Sequence, residues 1–252
     1  LLFIVSTSIA LGDGLKKIEI LGGWEKSDGS IVYGLKISLN EGWKTYWHTP
    51  GPFGFKPQFD FEGSLNISNL NVLWPSPKIF GSSSFETIGY ENEVILPIAI
   101  KAEVDSDPIN LKIKGSIGIC YDVCMPIEFE AQSGLKIISK EINTDLLAAL
   151  ANLPLSPSDL GKKNARCSIT FSPTGFKIGA DIPYLEKASS SIFFSIMDYR
   201  SELSIEQPKL YNPGKTLYAV GEWRDKTNLK INGDLITITQ LDEGRVIEQK
   251  GC

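Results

Sequence analysis

The sequence predicts an all-β protein made of two β-sandwich domains joined by a short helix and linker. Three observations lead there. Apolar and polar residues alternate with period two in several short runs. Turn signals such as Asp28-Gly29, Pro50-Gly51 and Asp107-Pro108 separate those runs at short intervals. Only "NTDLLAALANLPLSPSD" (143–159) has helical composition, with Thr144 as a candidate N-cap and Pro154 and Pro157 as stops.

In chain order, residues 1–13 come first. "LLFIVSTSIA" is an apolar run followed by small residues, with Ser8 and Ala10 spaced for a signal peptidase, and is read as a truncated signal-peptide remnant. A secreted chain would live where disulfides persist, and four cysteines is an even count. No later segment approaches the roughly 20 apolar residues that span a bilayer, so the mature protein is not expected to be membrane-spanning. A formal net charge of −5 without clustered Lys and Arg argues against nucleic acid. The single histidine, His48, excludes chemistry that needs several imidazoles.

Residues 14–140 form the first expected domain. In "YGLKISLNEGW", Tyr33, Leu35, Ile37 and Leu39 share one face, and Lys36, Ser38 and Asn40 share the other. "EVILPIAIKAEV" is nearly continuous apolar sequence broken by Pro97, which suits an edge or a bulge. Trp43 and Trp47, with Thr45 between them, read as core packing. Residues 141–160 are the helix and linker, and residues 161–252 the second β domain. There "CSITFSPTGFKIGADI" and "NLKINGDLITITQL" read as hairpins, the latter turning at Asn232-Gly233.

The segment "GSIGICYDVCMPIEFEA" (115–131) places Cys120 and Cys124 with three residues between them. Odd positions 109, 111, 113, 117 and 119 are apolar, whereas Asn110, Lys112, Lys114 and Ser116 are polar. Parity therefore puts Cys120 on the polar face, and Ile127 and Phe129 against Glu128 and Glu130 do the same for Cys124. The two strands form a hairpin with a tight tip, from which both sulfurs project away from the core. A helix would hold an i,i+4 pair about 5–6 Å apart at Cβ, too far for a bridge; a hairpin can bring them closer.

Spacing alone leaves a redox couple, a structural staple and a metal pair open. As a staple, a loop of about five residues contributes only about 2 kcal/mol in the chain-entropy picture. Cys167 and Cys252, at the two ends of the second domain, would close a loop worth about 4.6 kcal/mol and are the expected structural disulfide. Cys120, Cys124 and Met125 are soft donors that could hold Cu(I). A zinc site would need two further good ligands, and only His48 is spare. No Lys, Arg or His lies between residues 115 and 131, so the thiols are expected to stay near their ordinary pKa and to attack slowly without a partner.

"GWKTYWHTPG" (42–51), "LWPSPKIF" (73–80), "IGYENEVILPI" (88–98) and "CYDVCMP" (120–126) occur in that order. Together they resemble the N-terminal periplasmic domain family of the thiol:disulfide interchange protein DsbD, in its ScsB-like and stand-alone branch. The resemblance implies an immunoglobulin-like first domain, a periplasmic location and electron transfer by thiol–disulfide exchange. It implies that Cys120 and Cys124 are the redox pair, and that Phe80 or Phe85 in "KIFGSSSFETIGY" caps it. It implies protein-disulfide reductase activity without a cofactor or bound metal, with thioredoxin-like periplasmic proteins and a membrane electron donor as partners. The competing reading is a periplasmic binding or scaffold module, copper handling among its functions, whose cysteines are structural or ligate metal.

Overall fold

The computed structural model describes residues 14–51, 53–81, 86–104, 107–133, 142–172, 175–183, 191–196, 204–205, 209–210, 216–222, 232–242 and 245–252. The expected signal remnant (1–13) and Phe85 lie outside these residues. The chain divides into two units, one ending at Leu153 and one beginning at Pro154.

The first unit runs β1 (Leu15–Glu25), β2 (Ile31–Leu39), β3 (Lys44–Tyr46), β4 (Gln58–Asp60), β5 (Asn69–Val72), β6 (Lys78–Phe80), β7 (Thr87–Glu91), β8 (Glu93–Lys101), β9 (Lys112–Cys120), β10 (Cys124–Gln132) and α1 (Thr144–Ala151). One sheet has the order β1-β2-β8-β5, the other β10-β9-β3-β7-β6, with β4 also paired to β9. Leu35, Ile37, Leu96, Ile98 and Ile100 of the first sheet, and Ile113, Ile117, Ile119 and Ile88 of the second, are buried. These are the alternating apolar positions of a sandwich core.

Strand β2 departs from strict alternation because Val32, on its other face, is covered too. Leu146 of α1 packs there with Trp24 and Ile95. The helix starts at Asn143, whose carbonyl oxygen Oδ1 accepts the Leu146 N–H at 3.0 Å, so the cap lies one residue before the expected Thr144. Pro97 sits inside a strand with neighbours on both sides, not on a free edge. Its carbonyl accepts from the Leu73 N–H at 2.7 Å, just beyond the end of β5. The donor that proline lacks therefore faces the place where pairing with β5 has already stopped.

The second unit comprises β11 (Arg166–Ser172), β12 (Gly175–Asp181), β13 (Ser191–Ile196), β14 (Ser204–Ile205), β15 (Lys209–Leu210), β16 (Thr216–Glu222), β17 (Ile236–Asp242) and β18 (Arg245–Lys250). Its sheets have the orders β11-β12-β16-β14, with β15 also on β16, and β13-β17-β18. Phe176, Ile178, Ile182, Phe194, Ile236, Ile238 and Ile247 form its core. The β11–β12 hairpin forms as expected, with Ser172 opposite Gly175. The first arm of the hairpin expected at Asn232-Gly233, residues 228–231, lies outside the described residues. Gly233–Leu235 is a 3₁₀ turn leading into β17, and both edges of β17 are already taken by β13 and β18. Cys167 and Cys252 are bonded, with Cα atoms 5.3 Å apart, and both pack against the core.

Candidate redox site

The site is built on the β9–β10 hairpin. Nine consecutive antiparallel pairs run from Gln132↔Lys112 to Cys124↔Cys120, leaving Tyr121, Asp122 and Val123 as the tip. The register puts the two cysteines directly opposite each other, with Cα atoms 4.1 Å apart and the sulfurs bonded. Directly opposite residues project to the same face, at the shortest separation a ladder offers.

That face is the outer one, as parity predicts, but it is not bare. Strand β3 pairs with the end of β9, Lys44 opposite Cys120 and Thr45 opposite Ile119. Thr45 donates its hydroxyl to the Gly118 carbonyl at 2.9 Å, tying the strands together beneath the site. Two residues on from Lys44, the Tyr46 ring lies over Gly118 and its hydroxyl reaches both sulfurs, 2.7 Å from Cys120 Sγ and 3.1 Å from Cys124 Sγ. A disulfide carries no proton, so Tyr46 is the donor in both contacts. Burial raises the Tyr46 phenol above its ordinary pKa, which keeps that proton on the oxygen at neutral pH.

The consequence is an asymmetric pair. Cys120 is 8% exposed beneath the tyrosine, whereas Cys124 is exposed at the start of β10. The tip beside it presents Tyr121 and Val123, 57% and 70% exposed. Tyr121 leans on Trp43 with ring centroids 6.0 Å apart. It crosses Gly42, whose φ of +77° and lack of a side chain make room for the ring. Trp47 is fully buried, as expected of core, but Trp43 belongs to the surroundings of the tip.

Lys44 supplies the cation that the local sequence lacks. Its Nζ donates to the Gly42 carbonyl at 3.2 Å, lies 3.6 Å from Glu91 Oε1, and sits 5.4 Å from the centre of the Phe80 ring. Phe80, one of the two residues expected to cap the pair, lies against Lys44. The three soft donors of the copper reading do not converge. Met125 follows Cys124 in a regular strand and so projects to the opposite face. Among the described residues no cluster of three or more His, Cys, Asp or Glu is arranged for a metal.

Tyr46 was not singled out by sequence reasoning, although a signal existed. Gly118 in the middle of an apolar strand marks a place where something approaches the backbone closely. A Cβ there would lie 2.6 Å from Phe55 Cβ and 2.8 Å from Tyr46 Cε2. Gly118→Ala is therefore expected to displace the tyrosine. It should cost about 1–3 kcal/mol, read as a lower denaturation midpoint, together with faster reaction of the reduced Cys120 with a thiol label. An unchanged midpoint and label rate would show that Tyr46 does not depend on Gly118.

Residues 23–134 match the family described as thiol:disulfide interchange protein DsbD, N-terminal. The crystal structure of the N-terminal periplasmic domain of ScsB from Proteus mirabilis shares the fold, with a TM-score of 0.58 and 22% identity over 91% of this chain and 91% of that one. No curated protein matches the chain in sequence. Over residues 23–134, which carry the Cys120–Cys124 pair, the chain is thus similar to the N-terminal domains of thiol:disulfide interchange protein DsbD, and its fold is all-β and immunoglobulin-like.

Proposed function

We propose that this chain passes electrons in the periplasm, between a membrane or thioredoxin-like donor and periplasmic oxidoreductases, through the Cys120–Cys124 disulfide. The observation that carries the proposal is a disulfide at the exposed tip of a hairpin, in a domain of the thiol:disulfide interchange family. The short loop makes it a weak staple, and the exposed apolar tip offers a protein partner a surface beside the reactive bond. The periplasmic location follows the ScsB domain named above. Among the described residues no helix is long and apolar enough to cross a membrane. The exchange chemistry is placed in residues 14–140, with residues 161–252 as a separate β domain closed by Cys167–Cys252.

Thiolate attack on a disulfide forms a mixed disulfide, which a second thiol resolves. Cys124, the outward sulfur, is the one a partner reaches. Equilibration in dithiol buffers should give one reversible two-electron couple above the roughly −300 mV typical of structural disulfides. The reduced chain should also transfer electrons to an oxidised thioredoxin-like protein faster than to a small disulfide. A couple below that limit, or equal rates with both oxidants, would make the bond structural.

A further inference from the structure

We propose that β3 makes Cys120 the leaving sulfur of the exchange, with the Tyr46 hydroxyl donating to the thiolate released there and the Lys44 ammonium adding positive charge from the paired position. The inference rests on the exchange reading above and deepens it. Three observations converge. Cys124 is exposed and Cys120 buried, so an incoming nucleophile meets Sγ of Cys124. The shorter of the two tyrosine contacts, 2.7 Å against 3.1 Å, is to the sulfur that would leave. Lys44 stands directly across the ladder from that same residue.

The step balances as follows. An incoming thiolate attacks Cys124 Sγ, and a bond forms between the two sulfurs. The Cys124–Cys120 bond breaks, and its electron pair goes to Cys120 Sγ, which becomes a thiolate and accepts the Tyr46 hydrogen bond. A hydrogen bond to an ionised acceptor is roughly twice as strong as a neutral one, so Tyr46 favours the transition state and product over the closed disulfide. Other ionisable groups around the site are Glu91, which shares the Lys44 ammonium, and Asp122 and Tyr121 in the tip. Both carboxylates oppose the thiolate, which leaves Tyr46 and Lys44 as its stabilising neighbours.

The test uses the full chain and a small neutral monothiol as the reductant. Tyr46→Phe keeps the ring over Gly118 and removes only the hydroxyl. It should slow reduction about tenfold, and Lys44→Met should slow it by a smaller factor. In a Cys124→Ser background, Tyr46→Phe should raise the pKa of the lone Cys120 thiol by about one unit, followed by thiolate ultraviolet absorbance. Equal reduction rates and equal thiol pKa with and without the hydroxyl would overturn the proposal. A change in melting temperature with neither of these shifts would assign Tyr46 to packing alone and overturn it equally. A wild-type disulfide inert toward a thioredoxin-like protein would sink the exchange reading, yet the small-thiol comparison would still decide the role of Tyr46.

Discussion

Cys120→Ser should trap a partner as a lasting mixed disulfide, and Cys124→Ser should not. In the first variant the remaining thiol, Cys124, is the exposed sulfur at the start of β10. It can attack a partner's disulfide, but the resolving sulfur is gone, so the covalent complex accumulates. In the second variant the lone Cys120 lies beneath Tyr46 at 8% exposure. Reaction of a cysteine depends on both thiolate fraction and access, and here access limits it. Mass spectrometry of both variants after mixing with an oxidised thioredoxin-like protein gives the readout. The expected difference in trapped complex is at least about tenfold, since the accessible sulfur is the one a partner meets. Equal trapping, or trapping through Cys120 alone, would reverse the assignment of the two sulfurs.

The second large effect belongs to the other disulfide. Replacing both Cys167 and Cys252 by Ala is expected to cost about 2–5 kcal/mol. In a unit of this size that lowers Tm by roughly 10 to 30 °C. The native fold should survive, because the end of the chain has other anchors. Gln249 donates to the Ala165 and Gly251 carbonyls and accepts the Ala165 N–H. Gly251 donates to the Ile236 carbonyl and Cys252 to that of Gly233. Exchange at Cys120 and Cys124, measured at a temperature where the variant is folded, should be unchanged. Lost exchange with an unchanged Tm would transfer the redox role to the second pair.

What could be read in advance was local. The hairpin at residues 112–132 was legible because alternation on both sides of the tip is in phase, and a one-residue slip would have turned Ile117 and Ile119 to water. Residues Lys44 and Tyr46 could not be placed. They reach Cys120 only because β3 pairs with β9, across a separation of more than 70 residues. The expectation of no nearby cation was sound along the chain, and Lys44 enters across the ladder. Parity gave the face of the sulfurs correctly, yet the burial of Cys120 depends on a ring from another strand. The Asn232-Gly233 signal misled for a related reason: Asn232 is extended and Gly233 opens a 3₁₀ turn, because strand partners are assigned by the whole sheet and both edges of β17 are taken by β13 and β18.

The nine-pair register that sets Cys120 opposite Cys124 belongs to the backbone, and a ladder holds directly opposite residues about 4.5–5.5 Å apart at Cα without any bond between their side chains. When the sulfurs are apart, the ladder still holds each at the other's door, which is the situation of a high effective molarity. On the proposed exchange, a complex with a partner formed through Cys124 is therefore resolved from within the hairpin almost as soon as Cys120 is deprotonated. Encounters will be brief, and selection among partners will lie in how often the tip is met in the right orientation rather than in how tightly it is held.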